Sequence, residues 1–302
     1  MDLGMVGLGR MGANMARRLE AGGHRVVGFD SSPEARQALR SDEIESADSL
    51  GRLVESVGSD GAFWVMVPAD GAVDATIEGL AKVIGRGAVV IDGGNSNYKD
   101  ALRRKAELNE AGVGFLDVGT SGGVWGARNG YCLTVGGDPD VVERLRPVFE
   151  SLAPAPDRGW GHVGPTGAGH FVKMIHNGIE YGMMQAYAEG FAILRQKKEF
   201  DLDLHQISGL WNQSSVIRSW LLELTGNALE ADAELSHISS IVEDSGEGRW
   251  ALAEAVDLDV AAPIITMSLI ARLQSRDTDA FSSKLLAALR NQFGGHDATP
   301  RD

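Results

Sequence analysis

The stretch GMVGLGRMGANMARRL, residues 4–19, sets the reading of this chain. An apolar run stops at a glycine, and Gly7, Gly9 and Gly12 then fall in the GxGxxG spacing before an amphipathic segment begins. Small residues there let a strand turn tightly into a helix and let the backbone approach a pyrophosphate, while the helix start offers N–H groups and positive dipole. Alone the motif is weak; its context strengthens it. LGMVG (3–7) reads as a strand, MGANMARRLEAG (11–22) as a helix, and RVVGFD (25–30) as a second strand closing on Asp30. A carboxylate at that point accepts hydrogen bonds from both ribose hydroxyls of an adenosine. A 2′-phosphate would meet uncompensated negative charge, because Ser31, Ser32 and Pro33 bring no arginine. NAD is therefore expected over NADP.

Outward from this unit the same alternation continues. AFWVMV (62–67), AVVID (88–92), GFLDV (114–118) and YCLTV (131–135) read as strands, with amphipathic segments such as KDALRRKAELNEAG (99–112) between them. Strand and helix in alternation predict a mostly parallel, doubly wound α/β sheet. DPDVVERLRPVFESLA (138–153) closes the series as a helix, with Asp138 as its N-cap and Pro139 in its first turn. The following APAPDRGWGHVGPTGAG (153–169) is rich in Pro and Gly and reads as a link, which puts a boundary near 155–166. Beyond it the pattern is helical, over 167–198, 203–226, 248–257, 264–275 and 279–293. The expected architecture is a Rossmann-type domain over residues 1–160 followed by an all-α domain over 161–302.

A chain of 302 residues suits two domains of ~100–200 residues each. A net charge of −14 disfavours nucleic acid and anionic membranes, so an anionic small-molecule ligand has to be held by locally concentrated cations. The apolar run AAPIITMSLIA (261–271) is too short to span a bilayer and contains Pro263. The amino terminus does not have the pattern of a signal peptide. The one cysteine, Cys132, cannot form an internal disulfide and reads as a small apolar strand residue; a cytoplasmic protein is expected.

The second informative stretch is GHFVKMIHNGIEYG, residues 169–182. Lys173, His176, Asn177 and Glu180 follow the i, i+3, i+4, i+7 series, so on a helix they share one face. Singly, each is an unremarkable helical residue. Gly169, Gly178 and Gly182 each weaken a helix by about 1 kcal/mol, which suggests that close approach matters on this segment.

With IDGGNSNYKD (91–100), SGGVWGAR (121–128) and RNQFGGH (290–296), this helix resembles the signature of the 6-phosphogluconate dehydrogenases, decarboxylating enzymes within the β-hydroxyacid dehydrogenase superfamily. The resemblance covers essentially the whole chain, at the length of the shorter members. It implies oxidation of the 3-hydroxyl of 6-phosphogluconate with hydride transfer to NAD, then loss of CO2 to give ribulose 5-phosphate in the pentose phosphate pathway. By the match Lys173 is the general base, since a lysine desolvated in a cleft can lose its proton near neutral pH. Glu180 is the acid that protonates C1 of the enediol. His176 and Asn177 orient the reacting groups with Ser121, Gly122 and Gly123, and Asn95 bridges nicotinamide and substrate. Leu8, Met11 and Val67 join the glycines and Asp30 around the cofactor.

Tyr181, Arg272, Arg290 and His296 match positions that bind the substrate, whose phosphate suits guanidinium groups. The tail carrying Arg290 and His296 is implied to reach a neighbouring subunit of a homodimer or homotetramer. Longer members have an additional lysine where this chain has only DSGEGRW (244–250), and Arg249 is the candidate to compensate. No residues have metal-ligand spacing, and decarboxylation of a β-keto acid beside a lysine needs no metal, so metal independence is expected. The nearest rival is a plain β-hydroxyacid dehydrogenase or semialdehyde reductase, against which Glu180 and the RNQFGGH tail discriminate. A nucleotide-sensing protein that has lost turnover is the other, and the pair Lys173 and Glu180 speaks against it.

Overall fold

The computed structural model describes residues 1–69, 71–277 and 279–294. The chain divides into two units, Met1–Asn177 and Gly178–Asp302.

In the first unit, strands β1 (Asp2–Val6), β2 (Arg25–Phe29), β3 (Glu45–Ser46), β4 (Ala62–Val65), β5 (Val89–Asp92), β6 (Gly114–Ser121), β7 (Cys132–Gly137) and β8 (Trp160–Gly164) form one sheet. Their order is β3-β2-β1-β4-β5-β6-β7-β8. Within this sheet β6 and β7 pair antiparallel and the other six pairings are parallel. Helices α1 (Arg10–Ala21), α2 (Pro33–Ser41), α3 (Leu50–Val57), α4 (Gly71–Ala81), α5 (Tyr98–Glu110), α6 (Gly126–Asn129) and α7 (Pro139–Leu152) connect the strands.

The central strands β1, β4 and β5 are mostly apolar because both faces of the sheet are covered there. Side chains alternate between two clusters. Leu3, Met5, Trp64, Ile91, Leu116 and Val118 pack with Met15 and Leu19 of α1 and Leu145 and Phe149 of α7. Val6, Phe63, Val65, Val90 and Phe115 pack with Leu53 of α3, Ile77 and Leu80 of α4 and Leu108 of α5. Burying each such side chain stabilises the fold by about 1.5–3 kcal/mol.

The order reverses direction at β1, whose Val6 lies beside Phe29 of β2 and Val65 of β4. Val65 in turn lies beside Asp92 of β5, and Asp92 beside Asp117 of β6. The loops that follow these strands therefore leave the same edge of the sheet, where open α/β sheets bind ligands.

The expected α/β sheet is present, with two strands that the sequence reading omits. β3 has two residues, both polar, and gives no pattern to detect. β8 lies inside the Pro- and Gly-rich link and is half-exposed, so it shows no apolar alternation. Asp138 stands at the N-cap of α7 without a capping hydrogen bond; its carboxylate pairs with Lys105 instead. Cys132 is in a strand but is exposed, at the end of β7 opposite Ser121.

Helix α8 (Ala168–Gln196) starts in the first unit and continues into the second. It is followed by α9 (Leu204–Trp211), α10 (Trp220–Ala231), α11 (Glu247–Asp257), α12 (Pro263–Arg276) and α13 (Phe281–Gly294). The segment 203–226, read as one helix, is two. Ser219 starts α10 by accepting the Leu222 N–H at 3.1 Å, because a hydroxyl favours a cap over a helix interior. A small core of Phe191, Leu222 and Leu229, with Tyr187 and Trp211 against it, holds α8, α9 and α10 together.

Candidate active site

The turn from β1 into α1 has three glycines with two kinds of reason. Gly7 has φ +94°, and a Cβ there would meet the Met66 carbonyl oxygen at 2.5 Å. A Cβ on Gly12 would lie 1.9 Å from the Gly7 carbonyl oxygen. Both are glycine because the chain itself leaves no room. A Cβ on Gly9 would meet nothing within 4 Å, so among the described residues no neighbour requires a glycine there. Open space over a helix N-terminus is what a pyrophosphate needs, and the turn fits a dinucleotide on this observation.

Asp30 is tied into the same turn. One carboxylate oxygen accepts the Leu8 N–H at 2.7 Å and the other accepts the Ser32 N–H at 2.8 Å. Arg36, three residues beyond Pro33, folds back and donates to the carbonyls of Asp30 at 2.6 Å and Ser31 at 3.1 Å. Met11 and Val67 are half-buried against the two apolar clusters, and Leu8 is buried.

Asn95 follows β5 in a left-handed conformation, φ 58°. Its side chain accepts the Thr120 N–H at 2.8 Å and donates to the Thr120 carbonyl at 3.0 Å. This clip joins the end of β5 to the end of β6, where Ser121 leads into Gly122 (φ +120°) and Gly123 (φ +52°). Two successive positive φ values explain why small residues stand there.

The first turns of α8 are pressed onto the sheet. A Cβ on Gly169 would meet the carbonyl oxygens of Asp117 at 2.2 Å and Thr134 at 2.6 Å. A Cβ on Gly119 would meet the Cβ of Lys173 at 2.4 Å. Lys173 is 7% exposed and Asn177 is 9% exposed. The Lys173 ammonium donates to Asn177 Oδ1 at 2.7 Å. His176, itself exposed, places Nδ1 3.4 Å from Lys173 Nζ and 3.0 Å from Asn177 Oδ1. Three of the four predicted polar residues therefore converge on one point. Glu180 is half-buried, seven residues beyond Lys173 on the same unbroken helix, about two turns away.

In the helical unit, Gly178 and Gly182 answer to helix packing. A Cβ on Gly178 would meet Ala251 of α11 at 3.1 Å and Ile265 of α12 at 3.4 Å, and one on Gly182 would meet Ile264 at 3.2 Å. Tyr181 is buried, with the Arg272 guanidinium 3.6 Å from its ring centroid. The Tyr181 hydroxyl accepts the Ser245 N–H at 3.2 Å, and Arg272 donates to the Glu243 carbonyl at 2.8 Å. Arg249 is held by the Asp244 carboxylate at 3.0 and 3.1 Å, and Arg276 reaches the same carboxylate at 2.8 Å. The hydrogen bonds from Arg249, then from Arg276, hold the Asp244 carboxyl below its ordinary value. Three guanidinium groups thus gather on residues 242–244 of a strongly acidic chain. Arg290 is exposed on α13, and His296 lies outside the described residues.

The sequence reading passed over Asp92, Asp117 and Arg104, which are all buried. Arg104 pairs with Asp92 at 2.8 Å and with Asp74 at 2.8 Å. Asp117 inside β6 and Asp92 at the end of β5 were the available signal, since a carboxylate in an apolar strand needs partners once buried. Among the described residues, no three or more His, Cys, Asp or Glu side chains are grouped so as to hold a metal ion. No helix among them is long and apolar enough to cross a membrane.

Comparison with known proteins identifies the family and the fold. Residues 2–163 match the family model of the NAD binding domain of 6-phosphogluconate dehydrogenase, and residues 169–298 match that of the 6-phosphogluconate dehydrogenase C-terminal domain. A Haloferax volcanii protein named as an NAD(+)-dependent, decarboxylating 6-phosphogluconate dehydrogenase is 44% identical over 303 residues, 100% of both chains. The structure of Plasmodium falciparum 6-phosphogluconate dehydrogenase superposes with a TM-score of 0.82 at 26% identity, covering 100% of this chain and 66% of that one. A 3-hydroxyisobutyrate dehydrogenase from Salmonella typhimurium, 22% identical with a TM-score of 0.77 over 92% of this chain and 95% of its own, shares the fold.

Proposed function

The chain belongs to the 6-phosphogluconate dehydrogenase family, and on that premise we propose that it oxidises 6-phosphogluconate with NAD and releases CO2, leaving ribulose 5-phosphate. The observation that carries this reading is a buried lysine, Lys173, bonded to Asn177 on a helix whose next turns carry Glu180.

Gly7, Gly9, Gly12 and Asp30 would hold NAD, with Leu8, Met11, Val67 and Asn95 around it; when bound, NAD accepts the hydride from the substrate. Lys173 takes the proton of the 3-hydroxyl as general base, and Asn177 and His176 orient that hydroxyl and the neighbouring carboxylate. The protonated lysine then faces the oxygen on which charge develops as CO2 departs, and a fixed ammonium in a water-poor setting stabilises such charge strongly. Glu180 supplies the proton that completes C1. Ser121, Gly122 and Gly123 offer backbone groups to the substrate. Tyr181 and Arg272 receive the phosphate end, with Arg290 and His296 contributed by the tail of a second copy.

Two features support a homodimer or larger assembly. Phe281, Leu285, Leu286 and Leu289 stand exposed on α13. A cavity of about 530 Å³ lined by apolar side chains, Phe191, Leu221 and Leu224 among them, opens on the helical unit. A phosphorylated substrate, NAD and a single cysteine fit a cytoplasmic enzyme.

The decisive experiment incubates the purified protein with NAD and 6-phosphogluconate and measures NADH and CO2 together. Equal yields are expected. NADH without CO2 would identify a plain β-hydroxyacid dehydrogenase. A higher kcat/KM with NADP than with NAD would overturn the role given to Asp30.

A further inference from the structure

Asp117 sits between Leu116 and Val118 in β6 and is fully buried. Burying a carboxylate is costly unless its oxygens are bonded. Both are bonded, and to one structure: one oxygen accepts the Gly167 N–H at 2.7 Å and the other accepts the His170 N–H at 2.8 Å. These groups open α8, and a helix cannot satisfy the N–H groups of its own first turn. A carboxylate there also meets the positive end of the helix dipole. The cap comes from a strand about fifty residues earlier in the chain, so it ties the helix to the sheet as well as starting it.

The rest of the junction leaves the helix little freedom. Thr134 on β7 donates its hydroxyl to the Gly169 carbonyl at 2.9 Å. A Cβ on Gly136 would lie 2.6 Å from an Asp117 carboxylate oxygen and 2.6 Å from the Gly169 nitrogen. Gly119 faces the Cβ of Lys173 so closely that any side chain would displace it. Lys173 is only three residues beyond the capped His170, so the rotation and height of the first turn set where its ammonium lies.

We propose that Asp117 is a positioning residue for Lys173: by holding the first turn of α8 against β6 and β7 it sets the place of the catalytic ammonium. This rests on Lys173 being the general base of the proposed reaction. A carboxylate suits the task because it presents an acceptor to each of two N–H donors, whereas an isosteric asparagine turns an NH2 group toward one of them.

The test uses the full-length protein. Asp117→Asn is expected to lower kcat by about 10- to 100-fold, the scale of a misplacement near 1 Å, with substrate KM within about threefold of wild type. NAD is expected to bind the variant with wild-type stoichiometry and Kd. A merely structural role would reduce NAD sites in step with the rate. If Asp117→Asn does not fold, Thr134→Val, which removes only the hydroxyl bond to Gly169, decides; the same split is expected with a loss of roughly 3- to 10-fold in kcat. Wild-type kcat in the folded variant, or rate and NAD sites lost in proportion, overturns the role. An active wild type with an unaffected variant sinks this inference alone, while a wild type that yields neither NADH nor CO2 sinks the reaction and the role together.

Discussion

The two ends of α8 are packed by different rules. From Gly169 to Asn177 the helix lies against β6 and β7 with glycines on both sides of the contact, a buried carboxylate at its start, and Lys173 and Asn177 almost out of solvent. From Gly178 onward the unit packs helix on helix around a core of a few side chains, and leaves Ile193, Val256, Ile264, Met267 and Phe281 more than half exposed. The sheet unit buries two large apolar clusters and bonds its buried carboxylates, Asp92 and Asp117. The helical unit gathers cations and keeps apolar side chains that the described residues leave exposed.

The largest test of that contrast removes the group the first region is built around. Lys173→Ala is expected to lower kcat by roughly 10³-fold, within the range of a lost general base, while NAD binding measured by calorimetry stays unchanged. Turnover within tenfold of wild type would take Lys173 out of its role.

Two glycine variants then separate the reasons for small residues inside the sheet unit. Gly12→Ala puts a Cβ 1.9 Å from the Gly7 carbonyl and is expected to lower stability by about 1–3 kcal/mol in denaturant unfolding. Gly9→Ala meets no neighbour, so its stability is expected to match wild type while NAD affinity falls about tenfold, or ~1.4 kcal/mol. Equal stability losses in the two would show that Gly9 serves packing after all.

A smaller effect is expected in the helical unit. The Asp244 carboxyl lies below its ordinary 3.8 because Arg249 and Arg276 hold its charged form. Its contribution is therefore complete above pH 3.8 and is lost as the pH falls through the folded-state value. Asp244→Asn should lower Tm at pH 7, and by progressively less as the pH falls below 3.8. The opposite pH order would mean that the pair does not stabilise the fold. EDTA should leave turnover unchanged; activity lost in chelator and restored by a divalent ion would contradict the metal-free reading.

Much of this molecule is legible in one dimension, because its strongest signals are local. GxGxxG with Asp30 about 20 residues on describes a turn and the strand beside it, and the i, i+3, i+4, i+7 spacing of Lys173, His176, Asn177 and Glu180 describes one helix face. Both are properties of a short segment and a fixed periodicity. β8 was missed because an exposed edge strand carries no apolar alternation. The glycines of α8 announced close approach without saying to what: Gly169 faces strand backbone, Gly178 faces α11 and α12.

What residues 1–302 determine unaided is the alternation that makes the sheet, the cofactor turn and the identity of the polar groups on α8, since each follows from neighbours in the chain. What only the tertiary structure decided is how those groups are held. Asp117 caps a helix that starts fifty residues later, Asn95 clips β5 to β6, and Asp244 gathers two arginines from α11 and α12. Such bonds join residues distant in sequence, and the burial that makes an unpaired carboxylate too costly to leave alone exists only once the chain has folded.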